Sequence, residues 1–373
     1  MSQLVTVVFG GPAAEHDISI LTGLQCERVL RRAQVDVQCV YWDRAGNWNL
    51  VPESTEARDY LDGAPDKAVK LELVVRGGSE AGMYRKAGLG RRQVELGTVL
   101  LALHGGEGEG GGVQALFAMI AVPCTGSSSL AAALGLDKLA FGALMAQGGV
   151  QTLPREILHP DFQPSFPGPY IVKPRSGGSS IGIEVVDDLV TGLALLKSSP
   201  HLRAGAVVEP YRADLWDLNI AVATHPRFAT SQIERPLRPE TGAIYDYAGK
   251  YMGGGEGLIT APRELPARIS DELADRVREL ARQVTVLTGL DGICRIDFLT
   301  DGEQVYVNEV NSIPGAMALY LWPDTPPEEL LLGMVAQAAT APQRRATGSF
   351  EEGAALRAAG GIAGKLVGLG PQR

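Results

Sequence analysis

The stretch RIDFLTDGEQVYVNEVNSIPG, residues 295–315, carries the strongest signal of fold and chemistry in this chain. Alternation in its second half predicts an extended strand with four side chains on one face, those of Val305, Val307, Glu309 and Asn311. Asp297 lies on the strand that precedes it. The segment therefore predicts two adjacent strands that bring two carboxylates and a carboxamide close together.

These three oxygen-bearing side chains predict a site for a hard cation. Mg²⁺ binds oxygen ligands, usually one or two carboxylates together with substrate phosphates, and Asp297, Glu309 and Asn311 offer such a set. Arg295 lies on the same strand as Asp297 and points the same way, so it adds a positive charge beside the metal. The arrangement predicts phosphoryl chemistry. The alternative is a pair of edge strands whose polar faces are simply solvated.

The composition is that of a globular protein with more than one domain. The chain has 373 residues, of which 45% are apolar and 21% charged. A net charge of −9 argues against a nucleic-acid partner, because no basic excess is present to displace counterions from phosphates. Four scattered cysteines without CxxC spacing predict buried thiols in a reducing compartment. With no recognisable signal peptide or membrane-length apolar run, we expect a cytoplasmic protein without a membrane partner.

The order of predicted elements indicates an α/β fold. A buried strand from Leu4 to Phe9 ends in two glycines and is followed by a helical pattern. Residues 43–96 read as hairpins or loops without an assigned role. A helix is predicted over Leu130–Gly149, and another over Ser270–Leu287, which begins at a serine cap and has Gly289 beyond its end.

Two lysines lie in positions suited to phosphate binding. Lys138 is early in the predicted central helix, and Lys173 ends a strand just before the hairpin loop SGGSS, residues 176–180. Backbone N–H groups and hydroxyls of such a loop donate to phosphate oxygens while the ammonium neutralises their charge. The spacing is not that of a P-loop. The alternative for each lysine is a solvated side chain.

Residues 209–212 look like a hinge that holds a nucleotide base. The carbonyl of Pro210 could accept a hydrogen bond from an adenine amino group, and Arg212 supplies a backbone N–H. Either Glu209 or Asp217 could bind ribose hydroxyls. Each of these features is a weak indication when taken alone.

Two further segments allow both a functional and a structural interpretation. Glu15 follows the first glycine pair and could anchor a substrate ammonium, or it could simply complement the positive end of the helix that follows. Lys250 and Tyr251 lie in a predicted loop rich in tyrosine and glycine, which could close over a site or be an exposed turn.

Taken together, the chain resembles the D-alanine–D-alanine ligases of the ATP-grasp superfamily from about Val5 to Pro323. The resemblance is carried by ordered motifs: GGPAAEHDIS (10–19), LHGGEGEGGGVQ (103–114), TGSSSLAAALGLDK (125–138), VKPRSGGSSIG (172–182), YDYAGKY (245–251), RIDF (295–298) and NEVNSIPG (308–315). It implies a homodimer with three α/β domains per chain, the first a substrate domain. The implied bounds are 1–125, 126–208 and 209–373, with ATP between the last two and the metal and catalytic residues in the third.

The resemblance also implies residue roles. ATP would be bound by Lys138, Lys173, Ser180, Glu209, Pro210, Tyr211, Arg212, Asp217 and Lys250. Two Mg²⁺ ions, for which Mn²⁺ could substitute, would be held by Asp297, Glu309 and Asn311. Catalytic roles would fall to Glu15, Ser179, Tyr251, Arg295 and the backbone N–H of Gly315. The first amino acid would contact His104 and Glu109, and the second would contact Tyr320 and Leu321.

The implied activity is an ATP-dependent, ADP-forming ligation of two D-alanine molecules for peptidoglycan synthesis, through an acylphosphate. One difference concerns the second substrate: Tyr320 stands where the family usually has a serine that holds its carboxylate, and Gly110 replaces a usual aspartate. A ligase that uses another acceptor or amino acid in specialised peptide synthesis is therefore an alternative. An ATP-binding regulator without catalysis is a third interpretation, although it would not need the four polar residues of the 295–311 segment.

Overall fold

The computed structural model describes residues 4–76, 80–237, 262–341 and 354–358. Residues 1–341 belong to one compact unit, and residues 342–373 form a second, in which the helix Ala354–Ala358 is described. Lys250 and Tyr251 lie outside the described residues, as does the whole YDYAGKY motif.

The first sheet has seven strands and extends beyond the α/β unit predicted at the N-terminus. Its strands are β1 Val5–Gly10, β2 Val37–Trp42, β3 Trp48–Val51, β4 Val69–Val74, β5 Gly82–Ala87, β6 Gly90–Val94 and β7 Thr98–Leu101. The order is β6-β5-β4-β3-β2-β1-β7, with β1 parallel to both β2 and β7. Residues 43–96 thus supply the antiparallel strands that extend this sheet. The helices are α1 His16–Arg32, α2 Gly106–Glu109 and α3 Gly112–Met119.

The second sheet is small and antiparallel. It consists of β8 Glu156–Ile157, β9 Tyr170–Pro174, β10 Glu184–Val186 and β11 Ala206–Pro210, in the order β10-β9-β11-β8. Helix α6, Leu189–Ser198, follows β10. Because β9 and β10 pair antiparallel, the glycine–serine loop between them is the tip of a hairpin, as predicted.

The helix predicted over Leu130–Gly149 is wrong as a single element. It divides into α4 Ser129–Leu136 and α5 Lys138–Gln147, bent by 97°. Asp137 between them has an extended backbone, and its carboxylate caps α5 by accepting from the N–H groups of Leu139 and Ala140. Lys138 is consequently the first residue of α5. No single helix in the described part of the chain is long and apolar enough to cross a membrane; only this bent pair meets the criterion jointly, by length and composition.

The third sheet has five strands in the order β14-β13-β12-β15-β16. The strands are β12 Trp216–Ala223, β13 Ala229–Pro236, β14 Arg263–Glu264, β15 Ile293–Thr300 and β16 Val305–Asn311. Helix α7, Asp271–Thr288, begins at the predicted Ser270 cap and ends at Gly289, whose φ of 69° is left-handed. Phe141 and Met145 of α5 share the core between this sheet and α7. The 3₁₀ segment Gly315–Leu321 and helix α8, Pro327–Thr340, follow β16.

A β-bulge in β16 corrects the predicted alternation of this strand. Asp297 pairs with Glu309, whereas the next residue of β15, Phe298, pairs with Val307, so Asn308 is the extra residue. Val305 and Val307 are buried in the core together with Phe298. The bulge turns Glu309 away from that face, so the prediction that the two valines share a face with Glu309 and Asn311 is wrong.

Candidate active site

A cleft of about 230 Å³ lies where the three sheets approach one another. The second sheet contributes residues of β9 and β11, the third contributes β12, β15 and β16, and the first contributes the segments after β1 and β7. Most of the predicted site residues line this cleft: Glu15, His104, Glu109, Lys173, Ser179, Ser180, Glu209, Pro210, Tyr211, Arg212, Asp217, Arg295, Asp297, Glu309, Asn311, Gly315 and Tyr320. The fold therefore gathers residues that are far apart in sequence.

Two predicted residues have other positions. Leu321 is fully buried in the hydrophobic core that also includes Ile313 and Met317, and it does not line the cleft, so its side chain is poorly placed for the expected contact with the second amino acid. The Nζ atom of Lys138 donates to the carbonyl oxygen of Gly177 at 2.6 Å and lies 3.5 Å from a carboxylate oxygen of Glu309. Lys138 thus links the glycine–serine loop to the proposed metal ligands.

The four polar residues of β15 and β16 form one cluster. Cross-strand pairing places Arg295 opposite Asn311 and Asp297 opposite Glu309. The guanidinium of Arg295 binds both oxygens of Asp297, at 2.7 and 2.8 Å, and the amide of Asn311 donates to Asp297 at 3.1 Å. The prediction that strand geometry brings these groups together is confirmed.

This cluster fits a hard divalent cation. Asp297 and Glu309 offer carboxylate oxygens across one cross-strand pair, and a turn of the Asn311 amide would present its oxygen to the same point. Among the described residues, no three His, Cys, Asp or Glu side chains are clustered in a way that could hold a metal. Two carboxylates leave most coordination positions to phosphate oxygens and water, which is the usual arrangement for Mg²⁺.

Lys173 lies in a buried polar network at the end of β9. Its Nζ donates to a carboxylate oxygen of Glu209 at 2.8 Å and to Oδ1 of Asn308 at 3.1 Å. The other carboxylate oxygen of Glu209 accepts from Arg155 at 2.5 Å. Glu209 is 1% exposed, and its two carboxylate oxygens are engaged by Arg155 and Lys173, which argues against a contact of its side chain with ribose. Asp217, on β12 in the cleft wall, is left as the ribose candidate.

The glycine–serine loop contacts Glu15, the residue that precedes α1. Ser179, with a left-handed φ of 53°, donates from its hydroxyl to Oε1 of Glu15. Gly178 permits this approach, since a Cβ there would lie 3.0 Å from the same carboxylate oxygen. Two members of the expected Glu15–Ser179–Tyr251 triad are therefore in contact, and the third lies outside the described residues.

His104 ties the first sheet to the segment after β16. Its ring nitrogens bond to the carbonyl oxygen of Ile313 at 2.8 Å and to the Thr22 hydroxyl at 2.8 Å, and the same hydroxyl accepts from the N–H of Ala316 at 3.1 Å. Burial lowers the pKa of His104 to about 4, so the ring is neutral. His104 therefore positions the backbone on either side of Gly315.

Glu109 is a buried carboxyl close to Glu15. Its Oε2 accepts from the N–H of Gly105 at 3.0 Å, and its side chain faces the cleft. Burial, followed by the negative charge of Glu15, raises the pKa of Glu109 to about 7. These two acids at one end of the cleft form a suitable environment for a substrate ammonium.

The raised pKa of Glu109 predicts that amino-acid binding releases a proton. An ammonium group beside Glu109 and Glu15 favours the carboxylate, so the pKa of Glu109 falls on binding. An amino-acid ligand should bind more tightly as the pH rises towards about 7, the pKa of Glu109 in the free protein, and its binding should release a proton on the acid side of that value. Calorimetry in two buffers of different ionisation enthalpy measures the release. Glu109→Gln should abolish it, and equal heats in both buffers for the unaltered protein would contradict the assignment.

Tyr320 lines the cleft among charged neighbours. Its hydroxyl donates to Oε2 of Glu234 at 3.0 Å, and Asn219 donates to the same oxygen at 3.1 Å. Arg263 lies 3.5 Å from the other oxygen of Glu234 and 5.0 Å from the centre of the Tyr320 ring. Burial is the main cause that raises the pKa of Tyr320, so the phenol keeps its proton. That proton is directed at Glu234.

Sequence reasoning did not identify several residues of this site. Arg155 and Asn308 were not expected near Lys173, and Asn219, Glu234 and Arg263 were not expected around Tyr320. The one available signal was the pair of consecutive polar residues Asn308 and Glu309 in an otherwise alternating strand, since a break in the alternation can mark a bulge.

Comparisons with known proteins identify the family. The model for the D-ala D-ala ligase N-terminus matches residues 4–127, and that for the D-ala D-ala ligase C-terminus matches residues 130–328. A D-alanine–D-alanine ligase of Campylobacter concisus is 30% identical over 322 residues, which cover 85% of this chain and 88% of that protein.

Solved structures give the same result for the fold. A D-alanine–D-alanine ligase from Helicobacter pylori aligns with a TM-score of 0.71 at 24% identity, over 92% of this chain and 100% of that one. The VanG D-Ala:D-Ser ligase from Enterococcus faecalis aligns with a TM-score of 0.75 at 20% identity, over 90% and 99%. The chain therefore has the ATP-grasp fold and belongs to the D-alanine–D-alanine ligase family.

Proposed function

We propose that this protein is an ATP-dependent, ADP-forming ligase that joins two molecules of D-alanine, as the names of its relatives state for those proteins. The observation that carries the proposal is the cross-strand cluster of Arg295, Asp297, Glu309 and Asn311 in one cleft with Lys173. A regulator without catalysis would have no use for that cluster. The dipeptide product would serve peptidoglycan synthesis.

Different residues of the cleft would supply different parts of the reaction. When bound, ATP supplies the phosphoryl group that activates a carboxylate, and divalent cations offset its charge. Lys173 and the glycine–serine loop offer donors to phosphates, while Glu15 and Glu109 offer negative charge to the ammonium of the first amino acid. Arg295, which lines the same cleft, would stabilise negative charge on the carbonyl oxygen under attack. Holding both amino acids and ATP together supplies much of the remaining rate.

The direct test is the reaction itself. Purified protein with Mg-ATP and D-alanine should release ADP and form a dipeptide of the mass of D-alanyl-D-alanine, and EDTA should abolish the turnover. A panel of other D- and L-amino acids, singly and in pairs with D-alanine, serves as the comparison. Absence of the dipeptide with D-alanine, together with turnover on another pair, would reject D-alanine as the acceptor but keep the ligase chemistry.

D-alanine is favoured as the second substrate by the names of the relatives, so a different acceptor is the weaker reading. The surroundings of Tyr320 nevertheless suggest a restricted acceptor subsite, because its ring fills the space and its hydroxyl donates to Glu234. Because the Tyr320 hydroxyl already donates to Glu234, the side chain would add steric bulk to the acceptor subsite. It would not offer a hydrogen-bond donor to the carboxylate of the second amino acid.

Replacing Tyr320 with serine should improve D-alanine as acceptor. The smaller side chain leaves space, and its hydroxyl is not held by Glu234; we expect a gain of about 10-fold in kcat/KM for the second D-alanine. Steady-state kinetics with varied D-alanine measure the effect. Tyr320→Phe is the matched control, since it keeps the ring and removes the hydroxyl and should show no gain. An unchanged acceptor profile for Tyr320→Ser would refute the restriction.

Further features are proposed on the same basis. Two Mg²⁺ ions, replaceable by Mn²⁺, would be held by Asp297, Glu309 and Asn311, and metal titration of activity tests the exchange. The domain bounds 1–125, 126–208 and 209–373, a homodimer and a cytoplasmic location also stay predictions. Light scattering of the purified protein tests the dimer.

A further inference from the structure

Arg155 is a buried arginine behind the wall of the cleft. Its side chain is 2% exposed and lies just before β8. Each of its three guanidinium nitrogens binds a different element: Nε donates to Glu209 on β11 at 2.5 Å, Nη1 to the carbonyl oxygen of Lys138 at 2.8 Å, and Nη2 to the carbonyl oxygen of Asn308 at 2.9 Å. One side chain thus joins the second sheet, the start of α5 and the bulge of the third sheet.

The groups that Arg155 binds are those that hold Lys173. Glu209 accepts from Arg155 through one carboxylate oxygen and from Lys173 through the other. Asn308 accepts from Arg155 through its backbone carbonyl and from Lys173 through its side-chain Oδ1. Both acceptors found for Nζ of Lys173 in the described part of the chain are therefore fixed by Arg155. A shift of this guanidinium would move the ammonium.

The charges of this network are unequal. Arg155 and Lys173 carry two positive charges against one negative charge on Glu209, and all three side chains are at least nine-tenths buried. Burial alone would raise the pKa of Glu209, but Arg155 and then Lys173 outweigh it and lower the value, so Glu209 is charged. Lys173 lines the cleft, where burial is the main cause that lowers its pKa and the charges of Glu209 and Glu309 oppose this, so an anionic ligand such as a polyphosphate would further stabilise its charged form.

We propose that Arg155 is a positioning residue of the nucleotide site, which sets the location of Lys173 for the phosphates by fixing Glu209, Asn308 and the first residue of α5. The inference rests on the proposed function only in taking ATP as the ligand. Arginine suits the role because its planar fork reaches three acceptors at once, whereas a lysine ammonium is a single point donor at the end of a flexible chain. Gly142 on α5 leaves space for the side chain, since a Cβ there would stand 3.3 Å from its Cδ.

Arg155→Lys tests the proposal, because it keeps the charge and loses the fork. We expect the affinity for the unreactive ATP analogue AMP-PNP with Mg²⁺, measured by calorimetry, to fall about 10- to 100-fold. The KM for ATP should rise in parallel, while the KM for D-alanine should stay unchanged.

Arg31→Lys is the matched control. Arg31 also binds a buried glutamate, Glu27 at 2.9 Å, and a backbone carbonyl oxygen, that of Val37 at 2.8 Å, but it lies on α1 and away from the cleft lining. It should show a comparable change in unfolding temperature without a change in nucleotide affinity. Equal loss of nucleotide affinity in both variants would overturn the proposal, as would unchanged AMP-PNP binding in Arg155→Lys.

If Arg155→Lys does not fold, Gly142→Ala provides the second test. The added methyl group presses on Arg155 without altering a charge and should weaken AMP-PNP binding about threefold; unchanged binding would overturn the proposal. The dipeptide assay on the unaltered protein judges the proposed function separately. A protein that makes no dipeptide but binds AMP-PNP in an Arg155-dependent manner would reject that function and support this inference.

Discussion

Replacing Arg295 with alanine should lower kcat about 10²- to 10³-fold, the usual scale for one oxyanion-stabilising donor. In the structure, the guanidinium lies in the cleft on β15 and binds both oxygens of Asp297. In the proposed role it would act in two ways: it would supply positive charge near the reacting carbonyl, and it would orient a proposed metal ligand. Loss of the side chain would remove both effects. Because the side chain is not part of the buried core, its loss should lower the activity without unfolding the protein.

Steady-state kinetics and thermal unfolding together check this expectation. Arg295→Lys is the control, because it keeps a positive charge but cannot bind both oxygens of Asp297 in a fork. It should retain more activity than the alanine variant. A decrease of only about threefold or less in Arg295→Ala would exclude the oxyanion role.

Asp297→Asn should reduce turnover by a similar factor. Metal coordination contributes several kcal/mol of transition-state stabilisation, and each 1.36 kcal/mol is a factor of ten, so a loss of roughly 10²- to 10³-fold follows. Asp297 is the centre of the cluster, since it contacts Arg295 and Asn311 and pairs across the strands with Glu309. The substitution keeps the size of the side chain and removes its charge.

The dependence of activity on Mg²⁺ separates this effect from misfolding. Asp297→Asn should need more Mg²⁺ for half-maximal activity, with an unfolding temperature near that of the unaltered protein. Asp275→Asn on α7, whose carboxylate is exposed and pairs with Arg278, is the matched control and should behave as the unaltered protein does. An unchanged Mg²⁺ requirement in Asp297→Asn would remove this residue from the metal site.

The sequence predicted those parts of the site in which the chemistry is local. Arg295 and Asp297 share a strand, and Glu309 and Asn311 follow on the next one, so strand geometry alone brings them together. The hairpin after Lys173 and the caps of α7 were predicted correctly for the same reason. Each depends on residues a few positions apart.

The errors arose where tertiary packing overrides a local pattern. The helix predicted over Leu130–Gly149 contains no proline, yet it breaks at Asp137 because that carboxylate caps α5 and pairs with Arg175 of the second sheet at 2.7 Å. The alternation in β16 is interrupted by the bulge at Asn308, which is defined by the register in which β16 pairs with β15. Neither partner is visible from the local sequence.

By itself, the sequence determined the chemical groups available and the α/β character of the chain. Only the tertiary structure decided which groups meet: His104 and Ile313, bonded at 2.8 Å, are 209 positions apart, and Glu15 and Ser179 are 164 apart. It also decided that Glu209 holds Lys173 and Arg155, and that the Tyr320 hydroxyl donates to Glu234. The physical reason is that periodicity reports which face of an element is buried, whereas a buried ion pair depends on what packs against that face.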